Sequence, residues 1–301
     1  MSNAVRRTVR FRRDRIALLL TVVGALCPLA TVAAAAASDW PTYRGAATRG
    51  GYVDATIELP AKLVWAHCPK QPPKPAWPPP ARQSYWQRLG RLAARVTDDW
   101  AFQPVADRSH VYYGSSADDH LWCLDAATGQ VCWRFGTDGP IRYAPTVAGD
   151  RVFFGSDDGY VYCLGSERGT LEWKVRPAPR DHRIPGNGRI ISAWPVRTGL
   201  VVDRGLVYAT AGLYPSQGVF ACALRTGDGS PLWKQRVDCS PQGYLLASDQ
   251  RIYLPTGRGN PVALRRSDGK RIDAFDGVGG SYAVATEREL VAGPGNDGTL
   301  A

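Results

Sequence analysis

Local clusters of reactive side chains are scarce in this sequence. Its 301 residues include only four histidines, at 67, 110, 120 and 182, and no two of them stand at metal-ligand spacing. None of the seven cysteines belongs to a C-x-x-C or C-x-x-C-H string, which removes sequence-local zinc ribbons and c-type haem attachment. No Gly-x-Ser-x-Gly elbow is present, so the serine-hydrolase reading fails. Gly293-x-Gly295-x-x-Gly298 spells a dinucleotide fingerprint, but no helical pattern follows it to hold a phosphate. The formal charge of +10 also says less than it promises, because six arginines and one aspartate fall within residues 1–37. The remainder carries 31 basic against 26 acidic residues, too even a balance for nucleic-acid binding by charge alone.

The N-terminus carries an address. Met1–Arg15 is rich in arginine, Ile16–Leu29 is apolar, and Thr31–Ala37 supplies small residues with Ala-x-Ala triplets before Ser38. That order predicts a secretory signal peptide over 1–37, cleaved near Ala37, an exported chain, and a periplasmic or cell-envelope location. The alternative is an uncleaved anchor, since Ile16–Ala37 is long enough to span a bilayer; Pro28 and the small residues argue against it. Residues 38–97 read as an extension. It holds a Leu63-Val64-Trp65 strand, a proline-rich linker from Cys68 to Pro80, and a short amphipathic helix over Arg82–Val96.

From residue 98 onward a repeat takes over. Val111–Trp133 reads strand, acidic turn, strand, glycine turn, strand, and ends on tryptophan. The same order returns at Val152–Trp173 and Val207–Trp233, and more weakly at Ile252–Phe275, with Phe275 near the tryptophan position. The turn glycines Gly129, Gly169, Gly229 and Gly269 are 40, 60 and 40 residues apart. A period of about 40 residues with several strands per unit predicts an all-β fold, a β-propeller of four-stranded antiparallel blades. Four units and the start of a fifth are present. The expectation is a piece of a longer propeller, the alternative a five-blade ring closed by Leu63–Trp65. Trp133, Trp173 and Trp233 are expected to dock between blades. Asp118-Asp119 and Asp157-Asp158-Gly159 sit where hairpins turn and read as turn residues rather than a calcium loop.

Leu124-Asp125-Ala126-Ala127-Thr128-Gly129-x-x-x-Trp133 resembles the tryptophan-docking motif of pyrroloquinoline-quinone-type propeller repeats. The resemblance extends over nearly all of residues 39–301, starting from Asp39-Trp40-Pro41. The family holds quinoprotein dehydrogenases and also relatives without a cofactor, such as the propeller lipoprotein of outer-membrane assembly. It implies the fold strongly and activity weakly. The adjacent-cysteine pair of many quinoprotein alcohol dehydrogenases is absent, so the expectation is a non-catalytic binding or scaffold module with no cofactor and no metal. The alternative is a quinoprotein dehydrogenase holding pyrroloquinoline quinone and calcium.

Loop lengths locate a ligand face. Two insertions, within Arg176–Gly199 and at Leu213–Gln217, fall on the side opposite the glycine turns. Arg142, Asn187, Arg189, Trp194, Arg197, Tyr214, Gln242, Arg258 and Asn260 belong to that side, and would suit a small anionic or glycan ligand or the acidic part of an envelope protein. The other reading is that Arg189 and Arg197 only tie down the inserted loop. A four-residue turn at 126–129 would set Cys123 opposite Cys132, as a disulfide or as two buried thiols.

Overall fold

The computed structural model describes residues 39–56, 59–74, 76, 101–186, 188–257, 259–275, 278–286 and 289–294. The signal peptide, the helix expected over 82–96 and the Gly295–Gly298 stretch lie outside the described residues. Residues 37–301 form one compact unit.

Each repeat folds as expected, into a four-stranded antiparallel sheet with sequential strand order. The first blade is β1 (Val105–Ala106), β2 (His110–Gly114), β3 (His120–Asp125) and β4 (Val131–Gly136). The second is β5 (Thr146–Ala148), β6 (Arg151–Gly155), β7 (Val161–Gly165) and β8 (Leu171–Val175). An extra hairpin, β9 (Arg183–Gly186) with β10 (Arg189–Ser192), occupies the longer insertion. The third blade is β11 (Val201–Asp203), β12 (Leu206–Ala211), β13 (Val219–Arg225) and β14 (Pro231–Val237). The fourth is β15 (Leu246–Ala247), β16 (Arg251–Thr256), β17 (Gly259–Arg265) and β18 (Arg271–Ala274), followed by the pair β19 (Val278–Ala285) and β20 (Leu290–Pro294). The two middle strands of a blade are buried on both faces and so read as runs such as VFF and VYCL, while β4 and β8 alternate.

Blades are joined by tryptophan. The Trp133 indole N–H donates to Ser166 O at 2.9 Å, Trp173 to Thr226 O at 3.0 Å and Trp233 to Arg266 O at 2.8 Å. Each ring lies over the turn glycine of the next blade. A Cβ on Gly169 would sit 2.5 Å from the Trp133 ring, and Gly169 has φ +66°. Trp65 makes the same contact with the first blade, donating to Ala126 O at 2.9 Å over Gly129. Leu63–Trp65 is therefore a docking segment, but not the strand expected: it has no ladder partner among the described residues, and Leu63 and Val64 are 85% and 79% exposed. In the fourth blade the register sets Asp273, not Phe275, at the tryptophan position; Phe275 packs on Tyr253 instead.

The expected pairing of Cys123 with Cys132 is also corrected. Leu124 pairs with Val131, but Cys123 pairs with Trp133, because Cys132 is the extra residue of a β-bulge. The register shifts at the same place in every four-stranded blade. A four-residue turn followed by a bulge keeps the tryptophan on the docking face, which a regular hairpin would not. Both cysteines are free thiols, Cys123 buried and Cys132 exposed.

The segment after Asp39 runs along the inner strands of the blades. Trp40 exchanges backbone bonds with Ala106 at 2.9 Å, and Pro41, Ala47 and Thr48 accept from Val147, Ala247 and Ala285. One segment thus touches the inner strands of four sheets. Its Arg49 is 1% exposed. The guanidinium donates to Leu200 O at 2.6 Å, Leu245 O at 3.0 Å and Thr42 Oγ1 at 2.5 Å. Burial draws its pKa down to about 10, which leaves it charged at neutral pH. Tyr43 stacks on Tyr244 with centroids 3.8 Å apart.

Candidate functional site at the channel mouth

Strand direction in the blades puts the β2–β3 loops and the links between blades on one face, the upper one, and the glycine turns on the other. Register makes Arg142, Arg197 and Gln242 equivalent, each four residues before the inner-strand residue that pairs with Phe153, Tyr208 or Tyr253. Three consecutive blades therefore offer two guanidiniums and an amide at the same height on the upper face.

The two arginines meet on one carboxylate. Asp157, in the β6–β7 loop, is 1% exposed; it accepts Arg142 Nε at 2.7 Å and Arg197 Nε and Nη2 at 2.9 and 2.6 Å. Burial pushes this carboxyl upward, but the guanidiniums of Arg197 and Arg142 outweigh it and hold it below its ordinary value. Arg142 also donates to Lys74 O at 2.9 Å, and Lys74 N donates to Ser116 Oγ at 2.9 Å, so the proline-rich segment rests on this mouth. The neighbouring Asp158 behaves in the opposite way. Its carboxyl is raised by burial and accepts Tyr162 OH at 2.6 Å.

The insertions meet the mouth from the side. Arg189, on β10, pairs with Asp119 and donates to Ala117 O at 2.6 Å, which ties the hairpin to the first blade. Burial raises the Asp119 carboxyl, and Arg189 opposes that rise. Trp194 is buried and donates to Gln217 O at 2.8 Å, joining the hairpin to the shorter insertion, where Pro215–Gln217 forms a 3-10 turn. Of the nine residues expected on this face, Arg142 and Arg197 come together, with Arg189 and Trp194 as braces. Gln242 is half-buried beside Gly257, and Tyr214 and Asn260 are exposed. Asn187 and Arg258 lie outside the described residues. The residue that sequence reasoning missed is Asp157, taken for a turn former; its only signal was the doubled Asp157-Asp158 before Gly159.

These features define a class: a propeller of pyrroloquinoline-quinone-type repeats. The chain belongs to the family described as outer membrane protein assembly factor BamB, whose model matches residues 62–194 and 185–274. Curated relatives point toward redox enzymes. The quinone alcohol dehydrogenase subunit of Gluconobacter oxydans (strain 621H) is 24% identical over 250 residues, 77% of this chain and 28% of that protein. Polyvinylalcohol dehydrogenase of Sphingopyxis sp. (strain 113P3) is 31% identical over 131 residues, 42% of this chain and 18% of that protein. The chain thus spans under a third of the length of these relatives. Among solved structures, the quinohemoprotein alcohol dehydrogenase from Comamonas testosteroni aligns over 85% of this chain and 46% of that one, with TM-score 0.57 and 12% identity. A europium-containing methanol dehydrogenase aligns over 87% of this chain and 57% of that one, with TM-score 0.52 and 11% identity. Both show the fold.

The expectation of a cofactor-free module is overturned by the relative named as a quinone alcohol dehydrogenase subunit. The donor chemistry at the mouth fits such a group in kind. Guanidiniums fixed by a buried carboxylate suit the carboxylates of a quinone like pyrroloquinoline quinone. Asp118 of the β2–β3 loop, whose buried Oδ1 has no hydrogen-bond partner among the described residues, is a hard oxygen donor of the type calcium takes.

Proposed function

We propose that this chain supplies the cofactor-facing part of a quinone-dependent alcohol dehydrogenase propeller working in the cell envelope. The observation that carries the reading is the placement of Arg142, Arg197 and Gln242 at equivalent positions of three consecutive blades, with the two arginines fixed by Asp157. The dehydrogenase relatives support the redox class, and the N-terminal address supports export. Arg142 and Arg197 bind the carboxylates of the quinone, Gln242 adds an amide contact, and Asp157 keeps the two guanidiniums aligned. A quinone held there would supply the two-electron, two-proton acceptor for oxidation of an alcohol to an aldehyde.

The probe is pyrroloquinoline quinone with calcium, added to the purified full chain and followed by absorption and by quenching of tryptophan fluorescence. Binding is expected, together with dye-linked oxidation of primary alcohols. Arg142→Ala and Arg197→Ala should each weaken binding by about 10–100-fold, the loss of one or two charge-assisted bonds. An unchanged spectrum with quinone and calcium present would overturn the reading and leave a binding or scaffold role of the outer-membrane assembly kind.

A further inference from the structure

The lower corner of the first blade, on the face opposite the mouth, brings together side chains that are far apart by the spacing rules of metal motifs. His110 on β2 pairs with Asp125, and Cys123 on β3 pairs with Tyr112 two places along, so His110 and Cys123 are diagonal neighbours on one face of the sheet. The bulge adds Cys132. As the extra residue opposite Cys123, it is turned toward the face that Cys123 and Trp133 share instead of alternating away. One donor atom from each of His110, Cys123 and Cys132 lies within 4.8 Å of the other two.

Four bonds of about 2.0–2.3 Å around a zinc ion hold donor atoms on the order of 3.5 Å apart, so closure by roughly an ångström completes the set. The imidazole has an orienting carboxylate. Asp107 Oδ1 lies 3.5 Å from His110 Nδ1 and accepts the backbone N–H of His110 at 2.7 Å. Its other oxygen accepts Tyr112 OH at 2.9 Å. A carboxylate behind a ligating imidazole is the usual support for such a ligand.

The other blades show that nothing in the repeat demands this set. At the positions of His110 and Cys132 the second blade carries Arg151 and Glu172, joined by an ion pair of 2.6 Å beside buried Cys163. The third blade carries Leu206 and Leu232, and the fourth Arg251 and Ile272. The ion pair shows that side chains at these two positions reach one another across the blade. Only the first blade fills the corner with one imidazole and two sulfurs.

We propose that His110, Cys123 and Cys132 form a site for a soft or borderline metal ion such as Zn²⁺ or Cu⁺, distinct from the channel mouth. Sulfur with imidazole selects these ions over calcium or magnesium. Exposure of Cys132 gives the ion a way in and leaves a fourth position to water. Loading a dication displaces both thiol protons to solvent, and the two thiolates balance its charge. Oxidation would join the two sulfurs and remove two of the three donors, so the site belongs to the reduced chain.

Cobalt(II) is the probe, titrated into the full chain kept reduced with a phosphine. One ion per chain is expected, with visible bands of a tetrahedral site and near-ultraviolet thiolate-to-cobalt charge transfer; zinc should then displace it and bleach both. Cys132→Ala and His110→Ala change partly exposed positions and should abolish the charge transfer or weaken binding by at least about tenfold, while the fold persists by circular dichroism. Asp107→Asn should weaken binding by about 10–100-fold. Cys68→Ser, at an exposed cysteine, should change nothing. Absence of tetrahedral bands in the reduced wild-type chain overturns the proposal, and so does their survival in Cys132→Ala. A Cys123–Cys132 bond found by non-reducing peptide mapping of the metal-replete exported protein would overturn it as well.

Discussion

At the scale of single residues, the docking tryptophans are doing two jobs at once. Each indole buries its face on a neighbour's glycine and donates to a backbone carbonyl of that neighbour's turn. The apolar part contributes on the order of 2–3 kcal/mol for each ring. This pattern was readable in the sequence because both partners sit at fixed offsets within one repeat. Gly169 is constrained by its positive φ and by the 2.5 Å that a Cβ would have to the Trp133 ring. Gly169→Ala should therefore cost about 2–4 kcal/mol, combining backbone strain with overpacking. A urea titration followed by tryptophan fluorescence checks it. Gly149→Ala is the control: φ is +62° there, but no atom lies within 4 Å of the added carbon. It should cost only the backbone part, about 1 kcal/mol. Asp157 was not readable in the same way. Asp-Asp-Gly serves a turn equally well whether or not two arginines close on it, and those arginines come from 15 residues before it and 40 after.

The consequence for pH follows from direction. The folded-state pKa of Asp157 lies below the ordinary 3.8. Its ionised form therefore stabilises the fold at every pH above 3.8, and that contribution is lost as pH falls through the folded value. Asp157→Asn should cost about 3–5 kcal/mol at pH 7, because two largely buried guanidiniums lose their counter-charge. The gap between variant and wild type should narrow below pH 3.8. Denaturant titrations at pH 7 and pH 3 measure it, and an equal gap at both would contradict the assignment. Asp158 and Asp119 work against this trend, since their raised values favour the protonated fold and remove stability as pH rises through them.

At the scale of elements, the recurring order of apolar strands and turns located the strands, but it could not locate the bulge. A regular four-residue hairpin and a hairpin with one extra residue have the same sequence pattern up to Val131, and they diverge only in which of Cys132 and Trp133 faces Cys123. Docking of the indole on the next blade decides the matter, and that is a tertiary constraint. The inserted hairpin β9–β10 lay beyond pattern reading for another reason: RIPG and RIIS are too short and too mixed to show a period. It is held at several points: Arg189 on the first blade, Arg183 on Asp138 at 3.5 Å, the Ser192 N–H on Asp157 O at 2.8 Å, and the adjoining Trp194 on the short insertion. Arg189→Ala should release the first point alone. Amide exchange within Arg183–Ser192 should then speed up by about tenfold or more, as expected for a local opening made easier by 1–2 kcal/mol. Exchange in β6 and β7 should stay as it is, and slowing or global acceleration would contradict a local tether.

At the scale of the whole molecule, the repeat foretold blades but not the segment that runs along their inner strands. The segment Trp40–Gly51 has no period of its own: it is bonded through its backbone, Arg49 and Thr42, and packs Tyr43 and Ala47 against the cores of the blades. Yet it reaches the inner strands of four sheets. In a propeller each blade touches only its neighbours, so stability is close to a sum of blade and interface contributions, and partial unfolding is easy. A single segment bonded to several blades couples them. Arg49 is its central point, because its guanidinium links Leu200 of the third blade with Leu245 of the fourth, and Thr42 beside it bonds Thr146 of the second at 2.8 Å. Arg49→Ala removes the charged donor from both carbonyls, leaving Leu200 O with only Thr146 Oγ1 at 3.5 Å among the described residues, and should lower stability by about 3–5 kcal/mol. It should also change the form of unfolding. Wild type is expected to give coincident urea transitions by fluorescence and by far-ultraviolet circular dichroism, whereas Arg49→Ala should separate them, with the blades losing contact before their sheets melt. Arg204→Ala, which removes a guanidinium 61% exposed at the surface, should shift stability by no more than about 0.5 kcal/mol and keep the transitions together. If Arg49→Ala behaved like Arg204→Ala, the segment would be a passenger, and coupling between blades would have to come from the tryptophan contacts alone.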